Sequence, residues 1–234
     1  MPDKPTYPRG HLHPLTQTLA RAIKILGELG FEVVEGPEVT SEWDNFDSVL
    51  VSKDHPARDT QDTFWTTDGR VLRTHTSAMQ VPAMTELGKK PPVRIIVPGR
   101  IYRNEATDAT HETTFYQLEG FAIDKDINMG HLVWTLKTFL NKMLRDNIET
   151  KFYPHHFSYV EPGMEVMIKW RGKWLELLGS GLIHPDVIKN MKLDPEVWRG
   201  LAFGVGIDRL MMLERGIDDI RFTYSGDLRF LKQF

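Results

Sequence analysis

Two alternating apolar runs, Val93-Arg-Ile-Ile-Val97 and Phe115 to Ile123, bracket a polar stretch whose centre, Ala106-Thr-Asp-Ala-Thr110, consists of turn formers. Runs of period two joined in this way read as antiparallel strands closed by a loop. The hairpin carries Arg100-Ile-Tyr-Arg-Asn-Glu105, then His111, then Phe115-Tyr-Gln-Leu-Glu-Gly120. Side chains at i and i+2 of a strand share a face. Arg103 and Glu105 are therefore expected to point one way, and Phe115, Gln117 and Glu119 to share a face of the returning strand. Such a surface suits a nucleotide, with a guanidinium for a phosphate, a ring for a base and a carboxylate for an exocyclic amine. On these residues alone, an exposed charged hairpin with Phe115 in the core is an equal reading.

A second segment tips the balance. Gly200-Leu-Ala-Phe-Gly-Val-Gly-Ile-Asp-Arg-Leu-Met-Met-Leu213 reads as a glycine-rich strand entering an amphipathic helix. Gly204 and Gly206 would let a ligand approach the main chain. Arg209 falls in the first helical turn, where the helix dipole favours anions. Gly-x-Gly alone is common, but joined to the arginine-bearing hairpin it is specific.

Together these segments resemble the class II aminoacyl-tRNA synthetases. Arg103-x-Glu105 with His111 and Phe115 is similar to their motif 2, and Gly204-x-Gly206-x-Asp208-Arg209 to motif 3. Phe31-Glu-Val-Val-Glu-Gly-Pro37, after the helical run Leu15 to Leu29, is similar to motif 1, the dimerisation element with its proline. Asp62-Thr-Phe-Trp65, Leu72-Arg-Thr-His-Thr-Ser77, Phe157-Ser-Tyr-Val-Glu-Pro162, Trp174-Leu-Glu-Leu-Leu-Gly179 and the ending Asp227-Leu-Arg-Phe-Leu-Lys-Gln-Phe234 narrow the resemblance. They point to the α subunits of bacterial phenylalanine–tRNA ligases. The resemblance implies an α+β fold, an antiparallel β-sheet flanked by helices.

Composition is compatible with that reading. A chain of 234 residues can bury one substantial core, and 26% charged with 41% hydrophobic residues is ordinary for a globular domain. No apolar run approaches the ~20 residues that span a bilayer, and the start, Met-Pro-Asp-Lys-Pro-Thr-Tyr-Pro-Arg, is unlike a signal peptide. Without cysteine there is no disulfide framework or thiolate zinc site. A cytoplasmic location is expected. The net charge of −3 is unfavourable for gripping a phosphate backbone, so most of the hold on tRNA is expected to come from elsewhere. Residues 1–12 read as a flexible lead-in or linker remnant, and 13–234 as the catalytic domain. The coiled-coil arm that usually precedes this core in bacteria has no counterpart in that stretch, so an activation-only domain is an alternative.

Apolar spacing predicts a helix over Leu15 to Leu29 with Gly30 as its C-cap residue, and a short strand Phe31 to Val34. Further strands are expected at Gly99 to Arg103, Met164 to Ile168 and Trp174 to Leu178, and helices at Asn128 to Asn147, Pro185 to Met191 and Ile207 to Leu213. The lack of regular βαβ alternation argues against a Rossmann sheet.

The resemblance assigns roles to individual residues. Arg103 would bind the α-phosphate of ATP and the substrate carboxylate, and His111 and Arg209 the outer phosphates, the three forming the catalytic set. Phe115 and the stem of Arg209 would sandwich adenine, Glu105 would accept from its amine, and Gly204 and Gly206 would line the nucleotide site. Mg2+ would accompany ATP as cofactor. Glu161 matches a family metal position shared with the partner subunit, and Glu176 is a second carboxylate near the site by pattern.

In the amino-acid pocket, Phe157 and Tyr159 would meet a phenyl ring and Ala202 would set its depth. His75, Ser77, Gln117 and Glu119 would hold the amine and carboxylate, and Trp65 would line the approach. Tyr159 and Ser158 depart from the usual bacterial pocket, where two phenylalanines are separated by proline. The implied reaction is activation of L-phenylalanine with ATP, then transfer to tRNA(Phe) with a β subunit in an α2β2 heterotetramer; a homodimer through motif 1 is the other assembly. A ligase for another acid such as O-phosphoserine, or a non-catalytic paralogue acting as a binding module, are the remaining alternatives.

Overall fold

A computed structural model of the chain describes residues 10–144 and 148–234. Helix α1, Pro14–Glu28, lies within one residue of the expected Leu15 to Leu29 at each end: Pro14 occupies the first turn and the His13 ring accepts the Leu15 N–H. Leu15, Thr18, Ala22, Ile25 and Leu26 form its buried stripe, and Gly30, at φ 86°, ends the turn beyond it. Strand β1 is Glu32–Val33. Strands β2 (Val39–Thr40) and β3 (Val71–Leu72) make a separate antiparallel pair, with the short helix α2, Glu42–Asn45, between them. A 3-10 turn, Thr76–Met79, runs into helix α3, Gln80–Thr85.

The hairpin is strand β4, Val93–Tyr102, with strand β5, Thr114–Asp124. The two strands expected on either side of Pro98 are thus one. Arg103 lies just past its end, although its N–H still donates to Thr113 O at 2.9 Å. Helix α4, Met129–Leu144, buries Leu132, Leu136, Phe139, Leu140 and Met143, an i, i+3/i+4 stripe; the last three positions of the expected helix lie outside the described residues. Strands β6 (Thr150–Pro154), β7 (Val160–Trp170) and β8 (Lys173–Ile183) form a meander, of which β6 was not anticipated. Helix α5 is Pro185–Asn190, β9 is Arg199–Gly206, and α6, Ile207–Arg215, closes on Gly216 at φ 68°. Two single turns, α7 (Arg221–Tyr224) and α8 (Leu228–Leu231), end the chain.

The seven-stranded sheet has the order β1-β4-β5-β9-β8-β7-β6. It is antiparallel throughout except for β1, which joins β4 in parallel, so the sheet is mixed. One face is buried under helices: Ile96, Leu118, Leu201, Phe203 and Val205 pack with side chains of α1, α4 and α6. Val93, Ile95, Val97, Phe121 and Ala202 of the other face pack with Met79, Met84, Val187 and Ile188. Gly179, Gly204 and Gly206 on that second face leave part of the sheet without side chains, and the candidate site residues gather there. Of the expected lead-in, residues 1–9 lie outside the described residues, while His11 meets the Leu231 carbonyl at 3.0 Å through Nε2.

Candidate active site

Glycines form the floor. Across β5 and β9, Gln117 lies opposite Gly206, Glu119 opposite Gly204, and Phe121 opposite Ala202. Across β9 and β8, Gly204 lies opposite Gly179 and Ala202 opposite Gly181. A Cβ on Gly204 would sit 2.7 Å from Gln117 Nε2 and 2.8 Å from Glu119 Oε2. One on Gly179 would sit 2.8 Å from the Phe157 ring. Without those methyls, polar and aromatic side chains lie down on the sheet itself.

The wall above this floor comes from residues 75–80. Gln80 Nε2 donates to Glu119 Oε1 at 2.6 Å, and the Thr76 N–H donates to Gln117 Oε1 at 3.2 Å. Burial pushes the Glu119 carboxyl up to about 7, against the opposing pull of hydrogen bonds from Ser77 and Gln80. His75 is held down to about 4 by burial and by the nearby Arg103 charge, so it is a neutral imidazole near pH 7. His75 Nδ1, Thr76 Oγ1 and Gln80 Oε1 are shielded from solvent with no protein partner. Each unpaired group costs about 1–3 kcal/mol. Three such atoms fall within six residues of a segment that meets Gln117 and Glu119.

Beside this polar corner is an aromatic seat. Phe157 and Tyr159 stack with centroids 5.9 Å apart, and both pack against the cluster containing Ala202. Ser158 donates to Val49 O at 3.2 Å, fixing the loop that carries them. Burial and the Glu119 charge raise the Tyr159 phenol. Trp65 stands further out: its Nε1–H donates to Arg58 O at 3.3 Å and its ring meets Phe46 at 6.3 Å.

On the hairpin side, the Arg103 guanidinium lies 5.2 Å from the Phe115 ring centroid, donates from Nε to Thr74 O at 3.3 Å and reaches Glu105 at 4.0 Å. His111 is paired with Asp108 at 3.0 Å in the exposed loop, and Ala109 O accepts the Ile220 N–H at 2.9 Å, tying the loop to the chain beyond α6. Main-chain hydrogen bonding from Thr110, together with His111, holds the Asp108 carboxyl well below the usual range. Arg209 donates to Glu176 O at 3.0 Å, and with Thr110 and Glu176 it lines a cavity of about 310 Å³. A register shift in β7–β8 pairs Val166 with Leu178 but Met167 with Glu176. The bulge buries both Leu177 and Leu178 and returns Glu176 to the ligand face. Glu161 lies apart from these residues, exposed on β7, with His184 Nε2 at 3.3 Å.

The structure therefore gathers His75, Ser77, Gln117, Glu119 and Gly204 at one corner, Phe157, Tyr159 and Ala202 beside it, and Arg103 with Phe115 and Glu105 at the hairpin mouth. Trp65 packs on Phe46, and Glu161 lines a separate pocket with Phe157 and His184. The family of class II core domains (F) of tRNA synthetases matches residues 2–234. The chain belongs to this family. Its relatives include proteins named phenylalanine–tRNA ligase α subunit from Leptospira biflexa, 48% identical over 98% of the chain and 70% of the relative, and from Serratia proteamaculans, 47% identical over 96% and 68%. One from Clostridium perfringens is 46% identical over 96% and 69%. Among solved structures, pyrrolysyl-tRNA synthetase from Desulfitobacterium hafniense superposes with a TM-score of 0.73, covering 93% of this chain and 75% of that one at 20% identity, a likeness of fold.

Gln80, through its bond to Glu119, is a further candidate for that corner that local sequence pattern does not reveal. It follows Ser77 by three positions in a helical turn, a spacing that puts the two on one side. Asp208 lies within the motif 3 segment, next to Arg209. It is 1% exposed and accepts from the Tyr116 N–H at 2.7 Å and the Tyr224 hydroxyl at 2.5 Å.

Proposed function

We propose that this chain activates L-phenylalanine with ATP, forming phenylalanyl-adenylate and pyrophosphate, and with a β subunit passes the aminoacyl group to tRNA(Phe). The observation that carries this reading is the abutment of the Phe157–Tyr159 seat on the buried Glu119 corner with its unpartnered polar atoms. An aromatic side chain and a free ammonium group are the two features that distinguish such a substrate. The names of the relatives agree with this substrate.

A substrate carboxylate oxygen attacks the α-phosphorus of ATP. The new P–O bond forms as the bond to the bridging oxygen breaks and pyrophosphate leaves. Charge grows on the phosphate oxygens, so fixed cations on that side lower the barrier. Arg103 takes the α-phosphate and substrate carboxylate, Arg209 and His111 the outer phosphates, and Phe115 the adenine with Glu105 on its amine. Gly206 lets the nucleotide lie against the sheet, while Gly204 makes room for the Gln117 and Glu119 side chains. Glu119, Gln117, His75 and Ser77 bind the amine and carboxylate of phenylalanine, Ala202 limits pocket depth, and Trp65 flanks the approach.

Mg2+ is held by one or two carboxylates together with substrate phosphates and water, so it needs no all-protein cage. Glu176, beside Arg209, fits such a role, and Glu161 suits an ion shared across a subunit boundary. The ion would offset charge on the phosphates. The residues from His13 to Phe234 act as one catalytic domain, in an α2β2 assembly in the cytoplasm. Among the described residues, no helix is long and apolar enough to cross a membrane.

The test is phenylalanine-dependent ATP–pyrophosphate exchange by the chain with and without β subunit, with tyrosine and O-phosphoserine in parallel. Exchange specific to phenylalanine and lost in Arg209→Ala is the expected result. A folded assembly without exchange overturns the reading.

A further inference from the structure

Arg73 is an arginine buried to 3% exposure whose guanidinium donates to main-chain carbonyls. Its Nε–H reaches Arg100 O at 2.8 Å, and its Nη1 reaches Gly36 O at 3.0 Å and Pro37 O at 3.4 Å. Its own main chain repeats the connection: the Arg73 N–H donates to Glu38 O, and Arg73 O accepts the Tyr102 N–H, each at 2.9 Å. One residue thus joins the turn after β1 to the end of β4 by both backbone and side chain. Gly99 leaves the space that Arg73 occupies, since a Cβ there would lie 1.9 Å from Arg73 Nη2.

The neighbours of Arg73 hold Arg103. Tyr102, bonded to Arg73 O, precedes Arg103 in the chain, and Thr74 O accepts the Arg103 Nε–H at 3.3 Å. Asn45 fixes that carbonyl's residue twice, accepting the Thr74 N–H at 3.1 Å and donating to Thr74 Oγ1 at 3.0 Å. Two positions on, the Thr76 N–H meets Gln117. We propose that Arg73 is a positioning residue for activation, setting where the Arg103 guanidinium stands by clamping the Gly36–Pro37 turn to the end of β4. The inference rests on the role given to Arg103 above. A lysine cannot replace it, because a single ammonium group lacks the planar fork that reaches carbonyls in divergent directions.

The test is a double-mutant cycle in the assembled enzyme with its β subunit, using Arg73→Lys, Arg103→Lys and the pair. Pyrophosphate exchange gives kcat and the KM for phenylalanine, and thermal melting gives Tm. Arg73→Lys is expected to lower kcat about tenfold with the phenylalanine KM within twofold, since misplacing a reacting-centre contact acts on the transition state. On the Arg103→Lys background the same change is expected to cost less than twofold, because residues acting through one another are non-additive. Gly99→Ala, which displaces the guanidinium while keeping Arg73, is expected to reproduce the kcat loss. Full additivity, or a loss confined to Tm, overturns the inference alone. A wild-type assembly without exchange overturns the activation reading and the inference with it.

Discussion

Tyr224 donates its hydroxyl to Oδ1 of Asp208 at 2.5 Å, while Oδ2 of the same buried carboxylate accepts the Tyr116 N–H. A turn near the C-terminus is thereby fastened to β5 and to the residue preceding Arg209. Burial raises the Asp208 carboxyl and, with the Asp208 charge, the Tyr224 phenol. Tyr224→Phe leaves Oδ1 without this donor and is expected to cost about 1–3 kcal/mol. Denaturant unfolding of wild type and variant measures it; a loss below about 0.5 kcal/mol would place the bond among those that solvent replaces freely.

Gly204→Ala drives a methyl to within hydrogen-bonding distance of Gln117 and Glu119. The clash is expected to lower kcat/KM for phenylalanine activation by about a hundredfold, as displacements near 1 Å do. Stability should fall by only about 1–3 kcal/mol, the usual range for overpacking. Steady-state exchange and unfolding curves on the same preparation separate the two.

The Glu119 carboxyl titrates at about 7 in the folded chain, raised from 4.5. Between those values the folded chain keeps a proton that the unfolded chain has released. This contribution to stability is complete below 4.5 and is lost as pH rises through about 7. Binding runs the other way, since only the ionised carboxylate attracts the substrate ammonium. The KM for phenylalanine should fall as pH rises through about 7, and Glu119→Gln should flatten that dependence while raising KM. Exchange kinetics across this pH range check both.

Phe115 offers its ring beneath Arg103, and we expect Phe115→Ala to weaken ATP binding about tenfold, the scale of one stacking contact at ~1–3 kcal/mol. The phenylalanine KM should move less than twofold. Equilibrium titration with ATP distinguishes this from a general loss of packing, which would raise both.

Much of the hairpin was legible because strand periodicity fixes which side chains share a face. Once Phe115 to Ile123 reads as a strand, Phe115, Gln117 and Glu119 must share a face, and the register with Gly206 and Gly204 places Gln117 and Glu119 over glycines. Other features follow no local period. The parallel entry of β1 beside β4 depends on where α1 sends the chain, and β6 is a largely exposed edge strand with little apolar alternation. The role of Gln80 needed a partner 39 positions away.

Sequence by itself determined the helix α1 with its proline start and glycine end, the β4–β5 hairpin, and the glycine strand leading into α6. Each is set by chemistry within a few residues: caps, turn formers and apolar spacing. Tertiary structure alone decided that residues 73–80 lie against the hairpin, that a bulge at Leu177 turns Glu176 toward the ligand face, and that Asp208 is held by Tyr116 and Tyr224. Those arrangements depend on which distant segments pack together, and a carboxylate buried by folding acquires its altered proton affinity only once water has been excluded around it.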